Sequence, residues 1–197
     1  TTAVSFLRSS PFRWAAGGWS FFIVENLILS ENRTWLIERL GDDGYHAAYG
    51  TLSSVAMGSV GYAYFRKVRN TAPFLWQASV ATPMPHRIGA WICLSLGLTM
   101  ASQAFPKAQI PVALTADNSL QVRCPFDFHA GKNDSEQLYG LERISRHAGL
   151  WSFGLIGLGQ SFLAPSLPQR IWLGMPLLVA LIGGAHTDSR YRRGLGG

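Results

Sequence analysis

The sequence has 197 residues, of which 48% are hydrophobic and only 14% charged, with seven Trp. So little polar surface excludes an ordinary soluble domain of this size and points to a membrane protein. The net charge of +6 does not indicate nucleic acid as a partner, because Lys and Arg do not gather in one patch with interleaved aromatics.

Residues 1–13 form a short arm with Arg8 and Arg13 and no acid. A start at Thr1 suits either a processed precursor or a numbering that begins partway along a longer chain, and no cleavable targeting segment is expected in the residues that follow. The first apolar run, Trp14 to Leu29, is interrupted by Glu25 and Asn26. A charged or amide group there is costly unless it faces protein, a cofactor or water, or snorkels from the boundary. In Ser30 to Gly44, Trp35, Leu36 and Leu40 are spaced for an interfacial helix that stops at Gly41.

The second span is Tyr45 to Phe65, in which Gly50, Ser54 and Gly58 recur every fourth residue and predict a packing stripe. Tyr45, Tyr62 and Tyr64 crowd its ends, as aromatic belts do. Pro73, Pro83 and Pro85 predict a loop up to Arg87, with His86 inside it, and His129 falls in a later loop. Ile88 to Phe105 is the third span, ended by Pro106. Residues 106–137 are the longest polar stretch, read as an irregular extramembrane loop with a short strand at IPVALT. The fourth span, Gly149 to Leu163, is entered through a basic segment containing Arg143, Arg146 and His147 and closed by Pro165 and Pro168. The fifth is Ile171 to Ala185, where Pro176 is expected to kink the helix, and the polar tail HTDSRYRRGLGG follows. Cys93 and Cys124 form neither a metal spacing nor a disulfide framework.

The fold class is therefore all-α, a polytopic membrane helix bundle. One membrane domain covers residues 1–197, with about five transmembrane helices (14–29, 45–65, 88–105, 149–163 and 171–185) and one long irregular loop. Five spans place residues 1–13, 66–87 and 164–170 on one side, with seven Lys or Arg and no acid; the other side holds ten basic and ten acidic residues. The acid-free face is the cytoplasmic, stromal or matrix one by the positive-inside tendency. The same topology brings His46, His147, His186 and Glu25 to one boundary. Three imidazoles and a carboxylate at one depth can hold a metal, a haem iron or a chlorophyll magnesium, or can simply be interfacial residues with water on one side.

The runs ERLGDDGYHAAYGTLSSVAMGSVGYAYF, LERISRHAGLWSFGLIGLGQ and GGAHTDSRYRRGLGG, in that order, resemble the membrane family that groups NnrU-type proteins with plastid zeta-carotene isomerase. In that family an Arg-His-Pro motif opens a helix, and an aspartate- and arginine-rich terminus follows one span later. Here Arg146 and His147 are kept and the proline has become Ala148. The positions that match the isomerase's haem-ligating histidine, and the cysteine three residues before it, are Gln160 and Gly157. A first-span family histidine corresponds to the neighbourhood of Glu25 and Asn26. Glycine has no ligating group, and Gln or Asn is a poor iron ligand beside imidazole, so the resemblance implies the fold without the haem site. The motif is also similar to that of isoprenylcysteine-type methyltransferases, but the tail HTDSRYRR stands where those have an acidic pair, so methyl transfer is not expected.

The expected function is a non-catalytic integral membrane subunit of a larger energy-transducing complex. It is read as photosynthetic, with a photosystem or antenna of the plastid thylakoid as host; a mitochondrial or bacterial membrane satisfies the same physics. No catalytic residue is expected. Glu25, Asn26, His46, His147, Gln160 and His186 are the candidate contacts to pigment or lipid headgroups. Magnesium is a harder ion than haem iron and accepts oxygen ligands, so chlorophyll and carotenoid are the expected cofactors and haem is not. The expected partners are other membrane subunits, lipids and pigments, and no nucleic acid. The alternative is a haem-dependent cis–trans carotenoid isomerase, or an NnrU-like enzyme, that uses His46, His147 or His186.

Overall fold

A computed structural model of the chain describes residues 9–70, 82–104, 112–114, 120–122, 145 and 147–195. Helix α1 (Ser10–Glu31) carries Pro11 in its first turn, where a missing backbone N–H leaves no bond unmade. It stops at Asn32, and α2 (Arg33–Ala63) starts at the next residue. Gly41 interrupts α2 with φ 74° and ψ 166°, a conformation that a residue without Cβ adopts at no steric cost. The short arm before Gly41 is the helix and stop predicted from Trp35, Leu36 and Leu40. A π-helical turn, Tyr64–Val68, closes α2.

Helix α3 (Met84–Ala104) begins earlier than predicted. Pro85 lies in its first turn, where proline is tolerated, so His86 belongs to a helix and not to a loop. Two short strands, β1 (Val112–Leu114) and β2 (Leu120–Val122), pair antiparallel with Val112 opposite Val122; the first lies within the predicted IPVALT segment. Helix α4 (Ala148–Leu163) follows His147. Helix α5 (Leu167–Arg192) is capped by Ser166, whose Oγ accepts from the Gln169 N–H at 3.4 Å, and runs through Pro176 without a break. Gly194 (φ 73°) turns the chain back after it, so that Leu195 N–H donates to Arg190 O at 3.0 Å. Cys124, His129, Arg143 and Arg146 lie outside the described residues.

The helices neighbour one another in the order α3, α4, α5, α1, α2, with α5 in the middle. Their contacts are made by small residues. Eight of the twelve buried apolar side chains among the described residues are alanines, while Trp91, Phe65 and Met84 are 70%, 65% and 64% exposed. Small residues inside let the helix backbones approach closely. The α4 contacts depend on having no side chain at two positions. A Cβ on Gly157 would stand 2.7 Å from Leu173 O and 2.8 Å from Pro176 Cβ, and one on Gly159 would stand 2.7 Å from Leu94 Cγ.

The stripe predicted on α2 is not its packing face. Gly50 is buried, but Ser54 and Gly58 are exposed, and a Cβ on Gly58 would meet nothing within 4 Å. A strict four-residue repeat drifts by about 40° per step around a helix of 3.6 residues per turn, so it leaves the contact line. Ala56, Val60 and Ala63 pack inward instead, with Gly18 of α1 against Val60. An aromatic cluster joins α1, α4 and α5. The Trp19 ring lies 5.5 Å from Trp172 and 6.1 Å from Phe153, and Trp172 Nε1 donates to Val60 O at 3.2 Å.

Among the described residues, α5 is the one helix long and apolar enough to cross a membrane by length and composition; α4 is apolar but shorter. The other three predicted spans coincide with helices that do not reach that measure: Glu25 and Asn26 dilute α1, and charged residues fill the first third of α2.

Candidate functional site

Two groups of polar side chains join helices of the bundle, and buried Ser152, Ser166 and Gln169 lie outside both. The first joins α1 to α2. Glu25 is 8% exposed. Its Oε2 accepts from Asn26 Nδ2 at 2.7 Å and its Oε1 from Ser53 Oγ at 3.0 Å. Asn26 also donates to Phe22 O at 2.8 Å and accepts from the Tyr49 hydroxyl at 2.5 Å. Four residues separate Tyr49 from Ser53, so both project from one face of α2, opposite the adjacent Glu25 and Asn26 of α1. Each oxygen of the buried carboxylate thus has a donor, which is the condition for keeping such a group away from water.

The second group lies where the C-terminal ends of α1 and α5 meet. Buried His147 precedes α4, and its Nε2 hydrogen-bonds Asp188 Oδ1 of α5 at 2.9 Å; its ring stacks over Gly184, where an added Cβ would stand 3.5 Å from His147 Cδ2. One turn away, His186 Nε2 is 3.2 Å from Ser30 Oγ and 3.8 Å from Glu31 Oε2. Arg193 grips Glu31 with two parallel bonds of 2.6 and 2.8 Å, and buried Arg190 donates to Glu31 O and Leu195 O. The Arg193 hydrogen bonds, helped by the charges of Arg193, His186 and Arg190, hold the Glu31 carboxyl down at about 2.

Of the six residues picked out in the sequence, the structure brings Glu25 and Asn26 into one network. His147 and His186 each have a partner on another helix. His46 bonds within its own turn, with Nδ1 2.9 Å from Asp42 O and 3.5 Å from Asp42 Oδ2, and is 30% exposed. Gln160 is exposed on the outside of α4. Among the described residues, no group of three or more His, Cys, Asp or Glu is placed to hold a metal.

Gly157 is filled by Pro176 and the Leu173 carbonyl, so not even a Cβ fits there, and the Gln160 amide is on the outer surface.

Sequence reasoning missed the partners rather than the polar residues themselves. Tyr49 and Ser53 were hidden in a span read for its glycines, although two polar groups four apart inside an apolar run carry a signal. Asp188 was taken as part of a polar tail, but α5 extends through it to Arg192, about two turns beyond where the apolar run ends at Ala185. Glu31 and Arg193 are separated by 162 positions, and nothing local announces their pairing.

The protein-family model described as NnrU protein matches residues 15–195. No curated protein and no solved structure matches the chain.

Proposed function

The chain belongs to the NnrU protein family, which suggests a carotenoid isomerase-like membrane protein, and we propose that it is a polytopic membrane helix bundle serving as a non-catalytic subunit of a larger assembly. The large apolar side chains turned outward on every helix support the membrane reading. The observation that carries the non-catalytic half is Gly157. It stands where the resembled isomerase has the cysteine of its haem site, and its space is taken by Pro176. The intramembrane carboxylate at Glu25 is bonded to its own protein neighbours, which is how a structural polar clasp differs from a reactive site.

The finer reading assigns the assembly to photosynthetic energy transduction in a plastid thylakoid. Chlorophyll and carotenoid contacts then fall to Gln160 and His46, the two candidates that reach the exterior. An amide oxygen or an imidazole suits magnesium. Purified native complex is expected to give chlorophyll and carotenoid absorption that declines in Gln160→Ala, with no haem Soret band. A stoichiometric Soret band would sink this reading.

One observation favours a second reading, a haem-dependent carotenoid isomerase of the zeta-carotene type. Asp188 fixes the ring of His147 in the way that a carboxylate orients a metal-bound imidazole. Haem-reconstituted protein would then show low-spin bands that vanish in His147→Ala.

A further inference from the structure

The two ends of the bundle differ in charge. At one end α1 begins, α2 closes in its π turn, α3 begins and α4 passes into α5. Contacts tie these pieces together: Gln169 Nε2 donates to Arg69 O, and the His86 ring lies 6.2 Å from Phe162. Arg13, Arg66, Lys67, Arg69, Arg87 and Arg170 gather there, and no Asp or Glu occurs among the described residues of that end. Arg170 is turned inward to cap α4 through Ala164 O and Phe162 O; the other five are exposed. At the opposite end Glu31 stands beside both Arg190 and Arg193. Among the described residues the first end is therefore net positive, a balance that negative charge from a partner would complement.

What stands beside the cations decides between sources. The Trp14 and Tyr62 rings lie 5.6 Å apart, tilted by 59°, the Lys67 ammonium lies 6.0 Å from the Trp14 ring, and Phe65 in the π turn is 65% exposed. Exposed aromatics directly below a ring of cations match the depth profile of a lipid leaflet, with rings at the headgroup level and cations among the phosphates. An acidic protein face would not need the aromatic layer.

We propose that this acid-free end is a docking surface for the headgroups of anionic phospholipids, with the π turn at Arg66, Lys67 and Arg69 as its centre. The proposal rests on the membrane reading given above. It is tested with the full chain in nanodiscs of equal parts phosphatidylcholine and phosphatidylglycerol, by measuring which lipid stays with the protein in native mass spectrometry. Wild type is expected to retain phosphatidylglycerol preferentially. R66Q/K67Q/R69Q should lose that preference on the order of tenfold, and R39Q/R192Q at the other end should keep it. Should the triple variant misfold, by circular dichroism, R66Q alone and a salt titration of wild type replace it, and retention should fall with salt. No preference in wild type, or equal loss in both variants, overturns the proposal and leaves the charge to an acidic protein partner. Release of the chain from vesicles by alkaline carbonate would instead overturn the membrane reading, and this proposal with it.

Discussion

Between α3, α4 and α5 the helices meet backbone to backbone, with Gly157 against the Leu173 carbonyl and Gly159 against Leu94. Between α1 and α2 they meet through Glu25, Asn26, Tyr49 and Ser53, four polar side chains that satisfy one another. The first joint is specified by shape and tolerates nothing larger. The second is specified by hydrogen bonding and is sensitive to chemistry more than to volume. In apolar surroundings both joints work without a hydrophobic driving force, and so one chain can use both.

The comparison is broken most severely at Gly157. Gly157→Ala forces a Cβ into a carbonyl that cannot swing away, and a cost of about 1–3 kcal/mol is expected, read as a large fall in thermal midpoint in detergent. A midpoint within error of wild type would mean that α4 and α5 are farther apart than described. Next comes the polar joint. Glu25→Leu should destabilise by about 1 kcal/mol, near the middle of the range for interhelical hydrogen bonds in membranes, while Glu25→Gln should recover most of the loss because an amide oxygen still accepts from Ser53. Equal loss in the two variants would show that volume and not hydrogen bonding sets this joint. Gly58→Ala should go the other way. The position is helical and open, so an added methyl stabilises by about 0.5–1 kcal/mol, giving opposite signs for the same substitution at two glycines.

The smallest expected effect is electrostatic. Glu31 has a folded-state value depressed from 4.5 to about 2, so its contribution is full above 4.5 and is lost as pH falls from there toward 2. The pair is exposed to solvent, which keeps the effect small. Acid titration of the thermal midpoint should show a shallower decline through that window in Arg193→Gln than in wild type.

Much of this was readable in the residues. Helices stand where apolar runs predicted them because Gly41 interrupts one and Pro165 follows the end of another. The α2 packing face was not readable, since a glycine repeat identifies a stripe without saying whether a neighbour lies on it. The helix carrying it is kinked at Gly41, and its polar half turns Tyr49 and Ser53, not Ser54 and Gly58, toward α1. Pro85 was read as a breaker because a first-turn proline and a loop proline look alike without the helix that follows. Among the candidate site residues, Glu25 and Asn26 were identifiable as buried polar groups by cost alone. Their partners were not, because the bond from Ser53 to Glu25 spans 28 positions and that from His147 to Asp188 spans 41.

The central position of α5 has a consequence for biogenesis. Helices α1 and α2 form one hairpin and α3 and α4 another, and what joins the hairpins is chiefly a helix synthesised after all four. During translation each hairpin must wait with the face that will receive α5 uncovered, including Gly157 and the ring of Trp19. A ribosome stalled before Leu167 would therefore hold two independent helical pairs rather than four-fifths of a bundle, and a quality-control protease would meet them as separate substrates.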